Sequence, residues 1–338
     1  MTQSSLVGKE YRGYRSKDGG VTAFDAKIPE LGPRDIVVRI THTGLCASDV
    51  AMVKLPVALG HEGVGIVEMV GFDAKQLKVG DRVGGGYHRD ACGNCKFCLK
   101  GKDIYCYDRI VMGEGDYDNG TFGQFYIGKE TFLHKIPDSI PSEYAAPLQC
   151  AGVAVYTALR ETVEPGMRVG IYGIGGLGHL AMQYAAKMGT KVVVYSTSAD
   201  KEQEARAWGA SEFHLISTMY ETIKAPIKVL LITGSYIQIL KSKTTTKEFL
   251  SRNGIIVPLT APIGAMNLNT RNMFFDAYHI HASLVGPRAM HAETLEFAAK
   301  NDIKPLIQVT KLDNVSSLHK VISDMEANAI RYRAVFEL

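Results

Sequence analysis

All six cysteines of this 338-residue chain can be assigned to metal, and that assignment constrains the fold more than any other feature. Cys92, Cys95, Cys98 and Cys106 fall in one short run, CGNCKFCLKGKDIYC, at a spacing of C-x2-C-x2-C-x7-C. Four thiolates so placed can enclose one tetrahedral Zn²⁺ from a single loop, leaving no position open to water. Such a site is structural. The remaining two, Cys46 and Cys150, lie in separate motifs, and with His61 they make three scattered ligands with a fourth position open. A catalytic zinc is built that way. One closed and one open site in the same chain point to an enzyme.

Disulfides are the competing use of the 92–106 cluster. The opening segment, MTQSSLVGKEYRGYRSKDGG, has no apolar core, so a secretory signal is not expected. No run approaches the ~18 apolar residues of a membrane span. The expected compartment is therefore the cytoplasm, where thiols are kept reduced and available to metal. Spacing alone leaves an iron–sulfur cluster open beside zinc. The net charge of +3, with no basic stripe, argues against a nucleic-acid partner. At this length the chain accommodates two domains with cores of their own.

Up to about residue 150 the chain reads as short strands with turns: DIVVRITHT (35–43), VGIVEMVG (64–71), DRVGG (81–85) and TFGQFYIG (121–128). A small β-barrel with long functional loops is the expected result. SEYAAPLQCAGVAVYTALRETV then reads as helical, broken by Pro147. From residue 167 the rhythm changes to alternating strand and helix. Strands are expected at RVGIY (168–172), KVVVY (191–195), EFHLI (212–216), KVLLI (228–232), IIVPL (255–259) and IHASLV (280–285). Helices ending at Gly189 and Gly209 separate the first three, which implies an α/β unit with a parallel sheet covered on both faces. Past residue 290, helix, strand IQVT, helix and final strand RAVFEL are expected to return to the first domain.

Between the first two strands of that unit lies GIGGLG (173–178). A glycine pattern alone is weak, but this one follows a strand and opens an amphipathic helix, as dinucleotide binding requires. Gly173 permits the tight turn, Gly175 or Gly176 lets the backbone approach a pyrophosphate, and Gly178 lets the helix pack close to the sheet. Leu177 completes the loop. An NAD site usually places an acid about 20 residues after the first glycine. Here the second strand ends in Ser196, Thr197 and Ser198, with Lys201 beyond and no acid before Asp200. Hydroxyls and an ammonium suit a 2′-phosphate that a carboxylate would repel, so NADPH is expected over NADH. The competing role for these hydroxyls, Ser198 above all, is to cap the next helix.

Cys46 sits in GLCASD (44–49), His61 in GHEGVG (60–65) and Cys150 in APLQCAG. With the four-cysteine run, GIGGLGHLAMQYAAKMG, STSADK, FAAKNDIKP and RYRAVFEL, these motifs in this order resemble the zinc-dependent medium-chain dehydrogenase/reductase superfamily, in its cinnamyl-alcohol-dehydrogenase-like branch. The resemblance spans nearly the whole chain. It implies a GroES-like β-barrel catalytic domain (1–152 and 287–338) holding two Zn²⁺ and a Rossmann NADP(H)-binding domain (153–286). It further implies hydride transfer between nicotinamide and a carbonyl or alcohol, and a homodimer. Cys46, His61 and Cys150 match the catalytic-zinc ligands. Glu62 matches a carboxylate that can join them, or else is a charge standing behind the ligands or facing solvent. Asp49 matches an acid that orients the ligand histidine, and Ser48 the first hydroxyl of a proton relay. Arg333 matches an arginine beside the pyrophosphate, unless it is a surface charge.

Three positions depart from the family pattern. Ala51 stands where relatives often carry the relay histidine, Ala154 where many have a threonine beside the nicotinamide, and only residues 50–60 separate Asp49 from His61. A shortened segment is expected to open one wall of the substrate cleft. Ala282 and Pro287 also replace residues commonly Gly and Ser. A carbonyl reductase acting on aromatic or α,β-unsaturated substrates is the expected function. The alternatives are a specialised reductase of an iminium or conjugated carbonyl, for which a broken relay is tolerable, a polyol dehydrogenase, and a non-catalytic dinucleotide-binding protein. His88, in GGGYHRDACGNC, is expected to pack or hydrogen-bond rather than act as an acid.

Overall fold

The computed structural model describes residues 6–234, 249–260 and 269–338. Strands β1 (Glu10–Lys17) and β2 (Gly20–Lys27) open the chain as an antiparallel hairpin. Asp18 and Gly19 turn it, with φ of 54° and 77°. Both central residues need positive φ in such a turn, and Asp-Gly is its usual sequence mark. The strand patterns above overlooked it, because polar Arg, Ser and Lys interrupt the apolar residues.

There follow β3 (Asp35–Leu45), the helix Ala47–Met52, β4 (Glu62–Val70), β5 (Arg82–Gly86) and β6 (His88–Asp90). Beyond the four-cysteine loop come β7 (Ile110–Met112), β8 (Gly115–Asp116), β9 (Phe125–Lys129) and β10 (His134–Lys135). The helix Ser142–Pro147 runs through a π turn, Leu148–Gly152, into the helix Val153–Thr162. The α-helix thus breaks at Pro147, as its missing N–H suggested, without the chain leaving helical form. The ladder skips to a wider turn and continues, because the run is buried and its apolar residues hold the axis.

Next come β11 (Arg168–Tyr172), the helix Gly178–Lys187, β12 (Lys191–Ser196), the helix Glu202–Ala207, β13 (Ala210–Leu215), β14 (Ile227–Ile232), β15 (Leu250–Pro258) and β16 (His279–Ile280). All are parallel, in the order β13-β12-β11-β14-β15-β16. That is the doubly wound order of a dinucleotide-binding sheet. KVVVYS and IKVLLI are buried almost without interruption, as strands covered on both faces must be. The run 280–285 is strand only at its start. Only Ile255 and Ile256 pair with β16, and among the described residues nothing on the far side of this edge extends the ladder.

The helix Arg288–Asn301, β17 (Ile307–Lys311), the helix Val315–Glu326 and β18 (Arg333–Glu337) complete the chain. β18 lies between β17 and β3 in a sheet ordered β10-β5-β4-β3-β18-β17, with β9 also on β3. Leu45, Leu59, Phe122, Leu318 and Phe336 form the main core of this first unit. The compact units are residues 1–153 with 286–300 and 304–338, and residues 154–285 with 301–303. Among the described residues no helix is long and apolar enough to cross a membrane.

Candidate active site and metal centres

The four lobe cysteines converge. Their Sγ atoms are 3.5 Å apart for Cys92 and Cys106, 3.6 Å for Cys95 and Cys98, and 4.0 Å for Cys92 and Cys98. Sulfurs held at ~2.3 Å from one tetrahedral ion stand about 3.8 Å from each other, whereas a disulfide brings two to about 2.05 Å. The separations fit a single enclosed ion and exclude pairing, and all six cysteines are free thiols. Short turns at Cys98–Lys100 and Asp103–Tyr105 fold the loop around the sulfurs. Buried Asp103 anchors it by accepting from the guanidinium of Arg288.

The second cluster is assembled from distant segments. Cys46 caps the helix that follows β3, His61 and Glu62 open β4, and Cys150 lies in the π turn. The candidate ligand atoms of these four residues lie within 4.8 Å of one another. Gly60 makes the bend before His61 at φ 93°, where an added Cβ would meet Thr121 Oγ1 at 2.7 Å. Only glycine fits both the conformation and the space.

Asp49 is the hub. Its carboxylate accepts from the Cys46 backbone at 3.0 Å, the Gly60 backbone at 3.1 Å and His61 Nδ1 at 2.9 Å. The bond to Nδ1 leaves Nε2 as the free nitrogen, and among the described residues that buried atom has no hydrogen-bond partner. An imidazole held by a carboxylate on one nitrogen and bare on the other is the arrangement a metal ligand needs. Burial disfavours a charged His61, yet Asp49 and the Cys46 thiolate outweigh it and hold its pKa well above the ordinary value. A hydrogen bond from Cys150, aided by His61, pulls the Cys46 thiol well down. A cation bound here would displace protons from such groups. The donor set therefore fits zinc.

Glu62 is fully buried, not a solvent-facing acid, and burial pushes its pKa up to about 7 against the pull of Arg333. Arg333 is not a surface charge either. Its Nη2 reaches both oxygens of Glu62, at 2.5 Å from Oε1, beneath the same cluster. This pairing was hidden from sequence because β18 returns to lie beside β3 after 271 residues of chain. Ser48 is exposed, with its Oγ 3.7 Å from Cys46 Sγ. Tyr87, unmarked by any motif, stands edge-on to the His61 ring at 5.7 Å. His88 is buried edge-on against Phe132 at 4.6 Å, and burial lowers its pKa to about 4.

The glycine loop belongs to the second unit. Gly173 has φ 96°, and a Cβ there would crowd the Gly234 backbone at 3.0 Å. A Cβ on Gly178 would strike the carbonyl oxygen of Gly173, whereas Gly175 faces open space. Gly176 and Leu177 form the turn into the helix Gly178–Lys187, whose N-terminus can face an anion. At the end of β12, Ser196 Oγ donates to Ser198 O at 2.9 Å, and Thr197 is exposed. Ser198 holds the N-cap position of the next turn, but its side chain makes no capping bond. Lys201 Nζ donates to Ile174 O at 2.9 Å, which lays its ammonium on the glycine loop.

Residues 32–138 match the alcohol dehydrogenase GroES-like domain. The chain is 33% identical over 328 residues to a probable formaldehyde dehydrogenase of Bacillus subtilis, covering 91% of each. It is 30% identical to a probable cinnamyl alcohol dehydrogenase of Pinus taeda, covering 98% of this chain and 96% of the other. Among solved structures, a cinnamyl alcohol dehydrogenase from Sorghum bicolor superposes with a TM-score of 0.87 at 28% identity, over 97% of this chain and 98% of that one. A CAD from Helicobacter pylori, complexed with NADP(H), gives 0.85 at 25% identity, with 97% and 98% covered. With its GroES-like domain, parallel sheet and full-length relatives in agreement, the chain belongs to the medium-chain dehydrogenase/reductase superfamily, as a cinnamyl-alcohol-dehydrogenase-like, alcohol-dehydrogenase-type oxidoreductase.

Proposed function

We propose that the protein is a zinc-dependent, NADPH-linked reductase that exchanges hydride between nicotinamide and a carbonyl/alcohol pair, with aromatic or α,β-unsaturated aldehydes as its substrate class. The observation that carries this reading is the open cluster of Cys46, His61, Glu62 and Cys150, with His61 Nε2 bare and Nδ1 held by Asp49. When bound there, zinc supplies Lewis acidity that polarises a carbonyl or acidifies an alcohol. Cys46, His61 and Cys150 hold it, and Asp49 keeps Cys46 and His61 in register. Glu62, paired with Arg333, would offer an oxygen as fourth ligand when the open position lacks substrate. Ser48 Oγ is the hydroxyl that takes or returns the substrate proton.

For the cofactor, the backbone of Gly173, Gly175, Gly176, Leu177 and Gly178 cradles the pyrophosphate. Ser196, Thr197, Ser198 and Lys201 hold a 2′-phosphate, and no carboxylate precedes Asp200 at this strand end. The NADP(H) complex of the Helicobacter pylori relative supports this preference. Phe274 and Phe275, 80% and 65% exposed, with Ile280 on edge strand β16, support a homodimer. A second zinc in the four-cysteine lobe and a cytosolic location complete the reading.

One observation favours a narrower alternative. Ala51 supplies no relay imidazole, and reduction of an iminium carbon yields an amine without protonating an oxygen. The test is zinc per chain, measured beside NADPH and NADH oxidation with benzylic aldehydes, enals and cyclic iminium salts. Near two zinc and NADPH-linked aldehyde turnover is expected. Iminium turnover exceeding that of every aldehyde would favour the narrower reading. A single zinc and no turnover would overturn both.

A further inference from the structure

We propose that Gln149 is a positioning residue for the open metal site, its carboxamide setting the π turn that delivers Cys150. The inference rests on the metal-site reading above. A π turn fits one more residue into the helical coil than the α form does, and such turns concentrate at functional sites. Here it spans Leu148–Gly152 with Cys150 at its centre, directly after Pro147, which brings no N–H to the ladder. Gln149 adds a side-chain donor: its Nε2 bonds Ala145 O at 3.1 Å, one turn back, on an oxygen that also accepts from the Leu148 backbone N–H. The side chain thus grips the helix before the widened turn.

The same amide ties that turn to the strands bearing the other ligands. A Cβ built on Gly84 of β5 would come within 2.7 Å of Gln149 Cδ, 2.8 Å of Nε2 and 2.9 Å of Oε1. The whole carboxamide therefore lies on a bare glycine. Gly84 pairs with Val64 of β4, the strand that begins with Glu62 immediately after His61. From Cys150 to His61 the path runs through one amide, one glycine and one strand pair.

Packing alone does not account for glutamine at this position. Gln149 is 1% exposed, and its Oε1 has no hydrogen-bond partner among the described residues. Leucine would occupy the space without burying an orphan carbonyl oxygen. What leucine cannot provide is the bond to Ala145 O.

The test uses the full-length enzyme with zinc kept in the lobe and Co²⁺ exchanged into the open site, together with chelator competition for zinc. Gln149→Leu and, independently, Gly84→Ala are expected to weaken open-site zinc about 10- to 100-fold, the range for residues that orient metal ligands. Both should also alter the cobalt–thiolate bands and leave the lobe zinc in place. In a Gln149→Ala background, adding Gly84→Ala should cost no further affinity, because the amide it would displace is gone. Wild-type zinc affinity and cobalt bands in both single variants, with only a lower Tm, would overturn the proposal and leave Gln149 a packing residue. A wild-type chain that takes up metal in the lobe alone overturns the metal-site reading itself, and this inference with it.

Discussion

Replacing Asp49 with asparagine removes a single charge from a site where three donors converge on one carboxylate. Cys46 N, Gly60 N and His61 Nδ1 all donate to it, at 3.0, 3.1 and 2.9 Å, and the group is fully buried. Asparagine keeps one acceptor oxygen, which can serve Gly60 and His61. Its amide nitrogen then faces the Cys46 N–H, donor against donor. One charge-assisted bond, of about 1.5–3 kcal/mol, is lost outright, and the other two fall toward the neutral range. The expected total is on the order of 3–5 kcal/mol, the usual size for breaking a buried charged network. Part of it should appear as weaker zinc binding, about 10- to 100-fold, because Asp49 orients both Cys46 and His61. Urea unfolding of the metal-free chain measures the first share and chelator competition the second. An Asp49→Asn variant within about 0.5 kcal/mol of wild type, and unchanged in zinc affinity, would refute the assignment of Asp49 as the hub.

Further consequences are open to measurement. Arg333→Met strands the buried carboxylate of Glu62 and should destabilise the chain by about 3–5 kcal/mol; Glu62→Gln in the same chain should recover much of that loss, and additive losses in urea melts would contradict the pairing. Gly178→Ala drives a methyl into the Gly173 carbonyl, so overpacking of about 1–3 kcal/mol should weaken NADPH about 5- to 150-fold by fluorescence titration, while thiol and zinc content stay constant. His134 and His291 stack at 4.3 Å. Burial holds His134 at about 4, with neighbouring His88 and Arg288 adding to the effect against Asp103, and holds His291 well below the ordinary value. Because the folded state resists protons that the unfolded chain accepts, their contribution is complete above about pH 6.5 and is lost as pH falls toward 4. The loss is at most about 1.4 kcal/mol per pH unit for each ring. Replacing both with phenylalanine should flatten the fall in urea midpoint between pH 7 and pH 5; an unchanged slope would show that other groups set it.

Local features were readable from the chain wherever a contact spans few residues. The four lobe cysteines, the glycine loop with its strand and helix, and the helix stop at Gly189, whose φ is 79°, each depend on neighbours in sequence. The strands of the parallel sheet were legible as unbroken apolar runs, since burial on both faces imposes that pattern. One reading failed where tertiary packing overrode a local rule: the apolar run 280–285 found a strand partner only for Ile280. Pro147 did end its α-helix, but the chain stayed helical through the π turn that follows. The hairpin at 10–27 was missed because alternation with polar residues weakens its hydrophobic signal.

By itself, then, the sequence determined which residues can ligate metal, where a glycine loop must lie and what order of elements surrounds it. These depend on residue chemistry and short-range spacing. Only the tertiary structure decided that Glu62 is paired with Arg333, that Asp49 holds Cys46 and His61 at once, and that Gln149 rests on Gly84. Each of those relations joins segments brought together by sheet pairing and core burial. Their energies come from a dry environment that does not exist until the chain has folded.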